Sequence, residues 1–238
     1  MEKSRSSILN AEPSPQAESA AEHLIGDRVQ VNPADFGESH FHDFSIAFFC
    51  RHARGKAVLD LGCVDHNPEA YQSKYWVHKA LRAVAARVRG LDLYENGVRY
   101  LRNRGFDVVQ GNAENIEIEE TFEVIVVGDL IEHLANPGAF LESARRRLAP
   151  GGVLLISTPN PWYWRYIVKS LFSADVRPNP EHVSWFCTAT LRALLARYGF
   201  EIIEQTRGSR YLRDRILPLP AGLKHTTICI AAKVKAPT

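Results

Sequence analysis

The stretch "VLDLGCVDHN", Val58–Asn67, decides the fold of this chain. It opens within "AVLDLG" (Ala57–Gly62), an apolar run interrupted only by Asp60, which is typical of a parallel strand that is covered on both faces. A glycine after such a strand lets the backbone turn and approach a ligand closely. The later glycines of a GxGxxG turn are missing, because Val64 and His66 occupy that part of the loop. The loop therefore predicts a nucleoside cofactor that has no pyrophosphate.

Short apolar runs and helical periodicities alternate along the chain after this loop. Apolar residues recur at helical spacing from Trp76 to Val88, and a shorter helix carries Val98 and Leu101 and closes at Gly105. The intervening strands are predicted at "RGLDL" (89–93), "DVVQGN" (107–112) and "FEVIVVGD" (122–129). Strand followed by helix, repeated several times, predicts a doubly wound parallel sheet.

The remaining elements complete this sheet. A helix from Phe140 to Leu148 is predicted to end at Pro150, and "VLLISTPN" (153–160) follows as a strand. Thr188 is predicted to cap a further helix. The last strands, "FEIIEQ" (200–205) and "TICIAAKV" (227–234), are expected to form an antiparallel pair. The predicted fold class is α/β, a Rossmann-like seven-stranded mixed sheet with its last strand antiparallel, in one domain with a helical lid.

Composition limits the classes of partner. The 238 residues include 29 Lys and Arg against 27 Asp and Glu, a net charge of +2 that lacks the concentrated basic field typical of nucleic-acid binding. No apolar run approaches the roughly 18 to 20 residues that span a bilayer, so no membrane partner is expected. The four cysteines share no CxxC spacing and are read as reduced thiols of a cytoplasmic protein. The oligomeric state stays open, with a homodimer as one possibility.

Three regions follow from the distribution of apolar residues. Residues 1–22 are rich in Ser, Ala, Glu and Pro and are predicted to be disordered. Residues 23–55, which include "ESHFHDFSIAFF", are predicted to form a helical cover with Phe41, Phe44, Phe48 and Phe49 on one side, and His40 and His42 are minor site candidates. Residues 56–238 form the main domain, whose lid over the site spans about 160–187.

Asp92 stands at the tip of the second predicted strand. A carboxylate in this position can accept hydrogen bonds from both hydroxyls of an adenosine ribose. An open sheet binds its ligand at the carboxyl ends of the strands, which is also where Gly62 lies. The two residues together favour a nucleoside cofactor over a solvated acidic strand end.

A family resemblance emerges from these motifs taken in order. The segments "VLDLGC", "GLDL", "GNAENI", "GFEIIE" and, above all, "FEVIVVGDLIEHLANPGAFLESARRRLAPGGVLLISTPNP" resemble the successive motifs of class I S-adenosylmethionine-dependent methyltransferases. The branch is the one that includes ubiquinone-biosynthesis O-methyltransferases and many small-molecule methyltransferases. The resemblance covers about 56–235 and implies S-adenosyl-L-methionine as the cofactor.

The resemblance also implies roles for particular residues. Asp60, Gly62 and Cys63 would pack on the methionyl part of the cofactor, and Gly128 and Asp129 would line the region of its methyl group. Asp65 or His66 would hold the methionine tail in place of the missing glycines, or the longer loop would swing away from it.

The resemblance also implies which residues bind the ribose and adenine of the cofactor, at the ends of the next two strands. Asp92 would bind the ribose and Leu93 would flank the adenine ring. Asn112 would offer a side-chain acceptor to the adenine edge, and Ala113 a backbone N–H. The family usually carries Asp where this chain has Asn112.

Two histidines are candidate general bases. His133, in "GDLIEHL", and His182, in "NPEHVSWF", fall where the family borders the transferable methyl and covers the substrate, and an imidazole titrates near neutral pH. Each has positioning or helix capping as its alternative role. Glu132 and Glu181 could orient these two rings, but adjacent residues on a helix point apart, so both are expected to be solvated. His78 is expected to be a surface or packing residue. No His/Cys cluster has metal-ligand spacing, so no metal site is predicted.

The aromatic run after the fifth strand is the candidate substrate site. Trp162, Tyr163, Trp164 and Tyr166 can form a wall or lid above the methyl position, with core packing as the alternative for each of them. The predicted function is methyl transfer to a small molecule, most readily at oxygen. The alternatives are N-methylation, an NAD-dependent oxidoreductase and a catalytically silent cofactor-binding module.

Overall fold

A computed structural model describes residues 43–65, 68–174, 176, 179–209, 214 and 218–235. The strands form one sheet in the order β3-β2-β1-β4-β5-β7-β6. All neighbouring strands from β3 to β5 are parallel, and β7 runs antiparallel to both β5 and β6. The predicted seven-stranded mixed sheet with its last strand antiparallel is confirmed.

The bounds of the elements, in chain order, are as follows. The strands are β1 (Ala57–Leu61), β2 (Arg87–Asp92), β3 (Val108–Gln110), β4 (Phe122–Gly128), β5 (Leu148–Pro159), β6 (Phe200–Gly208) and β7 (Thr227–Val234). The α-helices are α1 (Asp43–Ala53), α2 (Val77–Val84), α3 (Glu95–Arg102), α4 (Pro137–Arg147), α5 (Trp164–Ser170), α6 (Thr188–Arg197) and α7 (Ala221–Lys224). Two 3-10 helices span Pro68–Gln72 and Ile131–His133.

The central strands are apolar because both of their faces are covered. On one face, α4 and α6 contribute Phe140, Leu141, Leu191 and Leu195 to a core that includes alternate residues of β1, β4 and β5. On the other face, Phe48 and Phe49 of α1 pack with Val58, Val124 and Leu155. Two-sided burial explains why β1 and β4 read as continuous apolar runs rather than as alternating patterns.

Local signals fix where α4 begins, and so where the site loop before it ends. The Asn136 side chain accepts a hydrogen bond from Ala139 N over 2.9 Å, and Pro137 occupies the first helical turn. Both residues are favoured at a helix start, because the cap satisfies an unpaired N–H and proline has none to satisfy. The loop 129–136 is therefore held between β4 and a firmly started helix.

Three boundaries differ from the sequence prediction. Val88 belongs to β2 and not to the preceding helix, which ends at Val84. Helix α4 ends at Arg147, and the Pro150-Gly151-Gly152 turn lies within β5, where the pairing with β4 shifts register. Cys187 is the N-cap of α6, with Thr188 as its first helical residue. The first two differences arise because apolar side chains satisfy helical and strand patterns alike. The third is a shift of one residue at a helix end.

The N-terminal predictions are tested only in part. Helix α1 lies within the predicted cover and buries Phe48 and Phe49, while residues 1–42, with His40, Phe41 and His42, lie outside the described residues. None of the helices in the described part of the chain has the length and apolar character needed to cross a bilayer.

Gly90 in β2 provides a packing test. A Cβ placed on Gly90 would lie 2.5 Å from the Cys63 Sγ and 2.7 Å from a Val108 methyl, whereas one on Gly222 would meet nothing within 4 Å. We expect Gly90→Ala to lower the free energy of unfolding by about 1–3 kcal/mol, as overpacked cores do. Gly222→Ala is the matched control, expected within about 0.5 kcal/mol of the wild type in urea unfolding. An equal stability of the two variants would contradict this packing.

Candidate functional site

A cleft of about 1220 Å³ opens at the carboxyl ends of the parallel strands. All of the residues predicted to bind the cofactor line it: Asp60, Gly62, Cys63, Asp65, Asp92, Leu93, Asn112, Ala113, Gly128 and Asp129. This convergence follows from the topology, because parallel strands that are adjacent in one sheet end at the same edge. Their individual contacts with a cofactor stay predictions.

Gly62 makes the turn that opens the cleft. Its φ is +76°, a backbone conformation that residues with a side chain rarely adopt, and its N–H donates to the Leu91 carbonyl over 2.8 Å. A Cβ at this position would also lie 3.4 Å from the Leu130 side chain. The glycine thus keeps the floor of the cleft open and fastens β1 to β2.

Asp92 joins the loops that follow β1 and β2. One of its carboxylate oxygens accepts from Val64 N and the other from Tyr94 N, each over 2.9 Å. A carboxylate has about four acceptor positions, so two of them stay available for ribose hydroxyls. Leu93, 70% exposed, presents an apolar surface at the rim on which an adenine ring can lie. The cleft fits a nucleoside at this end.

Asn112 closes a local turn at the end of the cleft where adenine is predicted. Its side-chain carbonyl accepts from Glu114 N over 2.9 Å. The same oxygen has a second lone pair, so one acceptor position is left for the predicted adenine contact. Ala113 is buried next to it. The adenine contacts of both residues stay predictions.

Asp129 occupies the end of β4 in a strained conformation. Its φ is +48°, and its N–H and carboxylate both bond to Ser157, whose Oγ donates to Oδ1 over 2.9 Å. Left-handed conformations of residues other than glycine cluster at functional sites, because surrounding contacts must hold them there. Ser157 of β5 supplies those contacts, so the strained residue faces the cleft next to Gly128.

The Cys63 side chain lies in the core with only 3% exposure, while its carbonyl accepts from the Trp76 Nε1 over 2.7 Å. Burial, and after it the charges of Asp60 and Asp92, raise the pKa of the Cys63 thiol well above its ordinary value. Cys63 therefore borders the cleft as a neutral, anchored residue. Asp65 is exposed at φ +56°, and its neighbour His66 lies outside the described residues.

Asp60 is buried and paired with His78, whose Nδ1 lies 3.0 Å from the Asp60 Oδ2. Burial raises the pKa of Asp60, and the hydrogen bond from His78 opposes that rise. Of the two alternatives predicted for His78, surface or packing, the surface position is wrong, because the ring is fully buried and lines the cleft. The sequence showed only that His78 lies in the first helix. In so short a helix, the position of a residue does not show whether its side chain is buried or exposed.

The two candidate bases meet across the cleft. The His133 and His182 rings lie 4.6 Å apart, edge to face. Burial and the neighbouring His133 lower the pKa of His182 from its ordinary 6.5, while Asp129 and Glu181 act in the opposite direction. His182 is therefore neutral near pH 7 and can accept a proton.

Glu132 is buried to 1% exposure, so the expectation that it is solvated is wrong. Its carboxylate accepts from the Thr158 hydroxyl over 3.0 Å, and its backbone carbonyl accepts from Val183 N and Ser184 N. These backbone bonds hold the segment that carries His182 against the 3-10 helix that carries His133. Pairing with Thr158 and the strap 183–184 explains the burial.

Glu132, His133 and His182 each offer a ligand atom, and these atoms lie within 4.8 Å of one another. Such a set can hold a divalent ion. The sequence prediction of no metal site rested on spacing along the chain, which cannot show residues that come together from segments about fifty positions apart.

The aromatic run divides into two pairs. Tyr163 and Tyr166 line the cleft, with ring centroids 5.3 Å apart. Trp162, 58% exposed, and Trp164 are absent from the lining, and substrate contacts of these two stay a prediction. The chain leaves β5 into a short helix, whose turn places consecutive side chains on different faces.

A buried carboxylate anchors this lid. Asp214 accepts hydrogen bonds from the Tyr163 hydroxyl (3.0 Å), the Trp164 indole (3.2 Å) and the Ser209 hydroxyl (2.7 Å). Burial, followed by the Asp214 contact, raises the pKa of Tyr163 to about 12. Tyr163 is thus a neutral donor, and Trp164 takes part in the anchor through its indole N–H.

Sequence reasoning also missed Arg165 and Lys169, which line the cleft from α5. Residues four positions apart lie on the same face of a helix, so the spacing of Arg165 and Lys169, with Tyr166 between them, could have predicted that they face the cleft together. Asp214 gave no such signal, because it acts on residues about fifty positions earlier.

The sheet order and the cleft define a Rossmann-like protein with a site for a nucleoside cofactor at the ends of β1, β2 and β4. Comparison with known proteins makes the family definite. Residues 38–205 match the family model described as a methyltransferase domain. The chain belongs to this methyltransferase family, and the predicted class of enzyme and its cofactor, S-adenosylmethionine, are confirmed.

Two curated relatives illustrate the similarity. A protein of Mycolicibacterium smegmatis named "Probable S-adenosylmethionine-dependent methyltransferase" is 33% identical over 70% of this chain and 60% of its own length. The ubiquinone biosynthesis O-methyltransferase of Paraburkholderia xenovorans is 29% identical over 55% of this chain and 57% of its own. The chain thus spans less than two thirds of the length of either curated relative.

Among solved structures, a SAM-dependent methyltransferase of Archaeoglobus fulgidus superposes with a TM-score of 0.57 at 14% identity, covering 91% of this chain and 99% of that one. At this identity the likeness supports the fold alone.

Asp92→Ala tests the ribose assignment. Hydrogen bonds to a charged group contribute about 1.5–3 kcal/mol, so we expect a loss of S-adenosylmethionine affinity of about tenfold or more by calorimetry. Glu95→Ala removes an exposed carboxylate three residues away that is absent from the cleft lining and is the matched control. Unchanged affinity in Asp92→Ala would contradict the assignment.

Proposed function

We propose that the protein transfers the methyl group of S-adenosylmethionine to an oxygen atom of a small-molecule acceptor. The observation that carries this proposal is the His133–His182 pair beside Asp129, at the end of the strand where the family brings its transferable methyl. A hydroxyl acceptor must lose a proton as it is methylated, and a neutral imidazole near the site is suited to receive it.

Each part of the site has a separate task. The bound cofactor supplies a methyl group that is already activated by the sulfonium charge. Asp92 and the turn at Gly62 hold the nucleoside, so that the acceptor need only lie in line behind the methyl at about 3–3.5 Å. His182 takes the proton, while Glu132 fixes the segments that carry both histidines and His133 lowers the pKa of its neighbour.

The acceptor is placed at the lid. Tyr163 and Tyr166 give the cleft two aromatic faces, and Trp185 packs against Tyr166 with ring centroids 5.4 Å apart. A volume of about 1220 Å³ exceeds the roughly 300–1,000 Å³ of most single-ligand pockets, which leaves room for a cofactor and a small acceptor together. An acceptor with a ring or an apolar body matches these walls.

N-methylation is the second candidate, since the carboxylates of Asp129 and Glu132 beside the histidines favour binding of a cationic amine. Such an amine would give a proton to His182 before its nitrogen lone pair could accept the methyl. The relatives named as ubiquinone biosynthesis O-methyltransferases favour oxygen. The cytoplasmic location and the homodimer stay predictions.

Transfer from cofactor labelled with ¹³C in its methyl group tests the proposal. The protein is incubated with a fractionated extract of small metabolites, and the products are read by carbon NMR, where methyl ethers and esters separate from methylamines. Label in an ether or ester signal is the expected result. A methylamine signal would support N-methylation instead, and absence of cofactor-dependent label would favour the catalytically silent binding module.

His133→Ala and His182→Ala test the base. Both variants should keep cofactor affinity, and at least one should lower kcat about a hundredfold or more if a general base is used, within the usual range for such catalysis. His52→Ala is the control, because His52 pairs with Glu204 and does not line the cleft. Full turnover in both cleft variants would show that proximity alone drives transfer.

The pH profile provides an independent check. Because a base must be neutral, kcat/KM should rise with pH through the pKa of His182 and level off above it, and that pKa lies below 6.5. Loss of this acidic limb in His182→Ala would identify the group. A limb that is unchanged in the variant would assign it to another residue, with His133 first among them.

A further inference from the structure

A buried pair at the base of the cleft has no part in the transfer described above. The His78 and Asp60 side chains are 0% and 4% exposed, with 3.0 Å between Nδ1 and Oδ2, and both residues line the cleft. An ionised carboxylate only accepts, so with Asp60 ionised the hydrogen between these atoms belongs to the His78 Nδ1. The ring thereby fixes the direction of the carboxylate at the end of β1.

The His78 ring is held in one place by its neighbours. Its centroid lies 5.0 Å from that of Trp76 and 6.1 Å from that of Phe106. Gly90 leaves the necessary space, because a Cβ there would lie 3.1 Å from the His78 Cε1. Trp76 in turn donates to the Cys63 carbonyl over 2.7 Å. Residues at the start of α2 therefore bond to the chain on both sides of Gly62, His78 to Asp60 and Trp76 to Cys63.

A residue that only filled space would not need to be histidine. The His78 Nε2 is buried and has no hydrogen-bond partner among the described residues, a cost that an apolar side chain would avoid. The polar bond that the ring makes is the one to Asp60. This arrangement indicates that the orientation of Asp60 matters.

The order of the strands indicates which part of the cofactor Asp60 faces. Three neighbouring strands of the sheet lie in the spatial order β3-β2-β1, with β4 next to β1. The turn at Asn112 follows β3, Asp92 ends β2, and the loop 62–65 follows β1. An adenine at the first and a ribose at the second leave the amino-acid tail to the loop after β1. That loop lacks the later glycines, so its position depends on side-chain anchors.

We propose that His78 is a positioning residue for the amino-acid tail of the cofactor, acting through Asp60 and, with Trp76, on the loop 62–65. The inference rests on the cofactor of the proposed function. It gives His78 a specific role beyond packing. The loop lacks the later glycines of a GxGxxG turn, and in this proposal residues at the start of α2 hold the loop in their place.

Two ligands that differ only in the tail test this role. S-adenosylhomocysteine carries the amino-acid tail, and 5′-methylthioadenosine has a methyl in its place. Calorimetry on the full chain with His78→Leu should show that S-adenosylhomocysteine binds more weakly, by about tenfold or more. The reason is the loss of the charge-assisted hydrogen bond that orients the Asp60 carboxylate. Binding of the second should change by less than about threefold, within the scatter of a mutation that does not touch the ligand's contacts.

Matched variants separate the hydrogen bond from the bulk of the ring. The amide N–H of Asn lies near the position of Nδ1, so His78→Asn should recover most of the affinity for S-adenosylhomocysteine, whereas His78→Gln, whose amide lies nearer Nε2, should not. In an Asp60→Asn background, His78→Leu should add little further loss, because residues in one network are not additive.

Several outcomes would overturn the proposal. Equal weakening of both ligands, accompanied by a lower melting temperature, would show a general packing role. Unchanged affinity for S-adenosylhomocysteine in His78→Leu, or fully additive losses with Asp60→Asn, would do the same. If the wild type bound 5′-methylthioadenosine but no S-adenosylhomocysteine, the tail would have no receptor here, and failure to bind either ligand would instead refute the proposed function itself.

Discussion

The hydrogen bond from the Val64 amide to the Asp92 carboxylate, 2.9 Å long, joins the loops that follow two neighbouring strands. Parallel pairing of β1 with β2 and β4 brings these loops to one edge, but pairing alone leaves their conformations undetermined. The carboxylate of Asp92 fixes both loops at once, since its second oxygen accepts from Tyr94 N. The cleft, the turn at Gly62 and the approach of a nucleoside all depend on this bridge.

On the acceptor side of the cleft, as at Asp92, single acidic residues join separate segments of the chain. Glu132 binds the strap 183–184 through its backbone and Thr158 through its carboxylate, and so brings two histidines from distant segments together. Asp214 does the same for the lid through Tyr163, Trp164 and Ser209. In each case a buried acidic residue gathers donors from separate elements, which makes the site rigid although its parts come from loops.

The sequence predicted the sheet and the cofactor edge, because two-sided burial leaves continuous apolar runs and strand ends follow from them. It could not predict which way side chains turn within a loop or a single helical turn. Glu132 was therefore expected in solvent, and for His78 a surface and a packing position stayed open, although their partners, Thr158 and Asp60, are buried. The bond between Trp164 and Asp214 was not predicted, because Asp214 lies in a segment with no motif. Contacts between distant segments have no local pattern from which they could be inferred.

The absence of a side chain at Gly90 links three positions that are far apart in the chain. The Cys63 sulfur and the His78 ring share the volume in front of that glycine, with Val108 as its third boundary. A larger residue at position 90 fits without displacement only beside a smaller residue at 63, 78 or 108, so the effects of substitutions at these four positions on stability are expected to be non-additive.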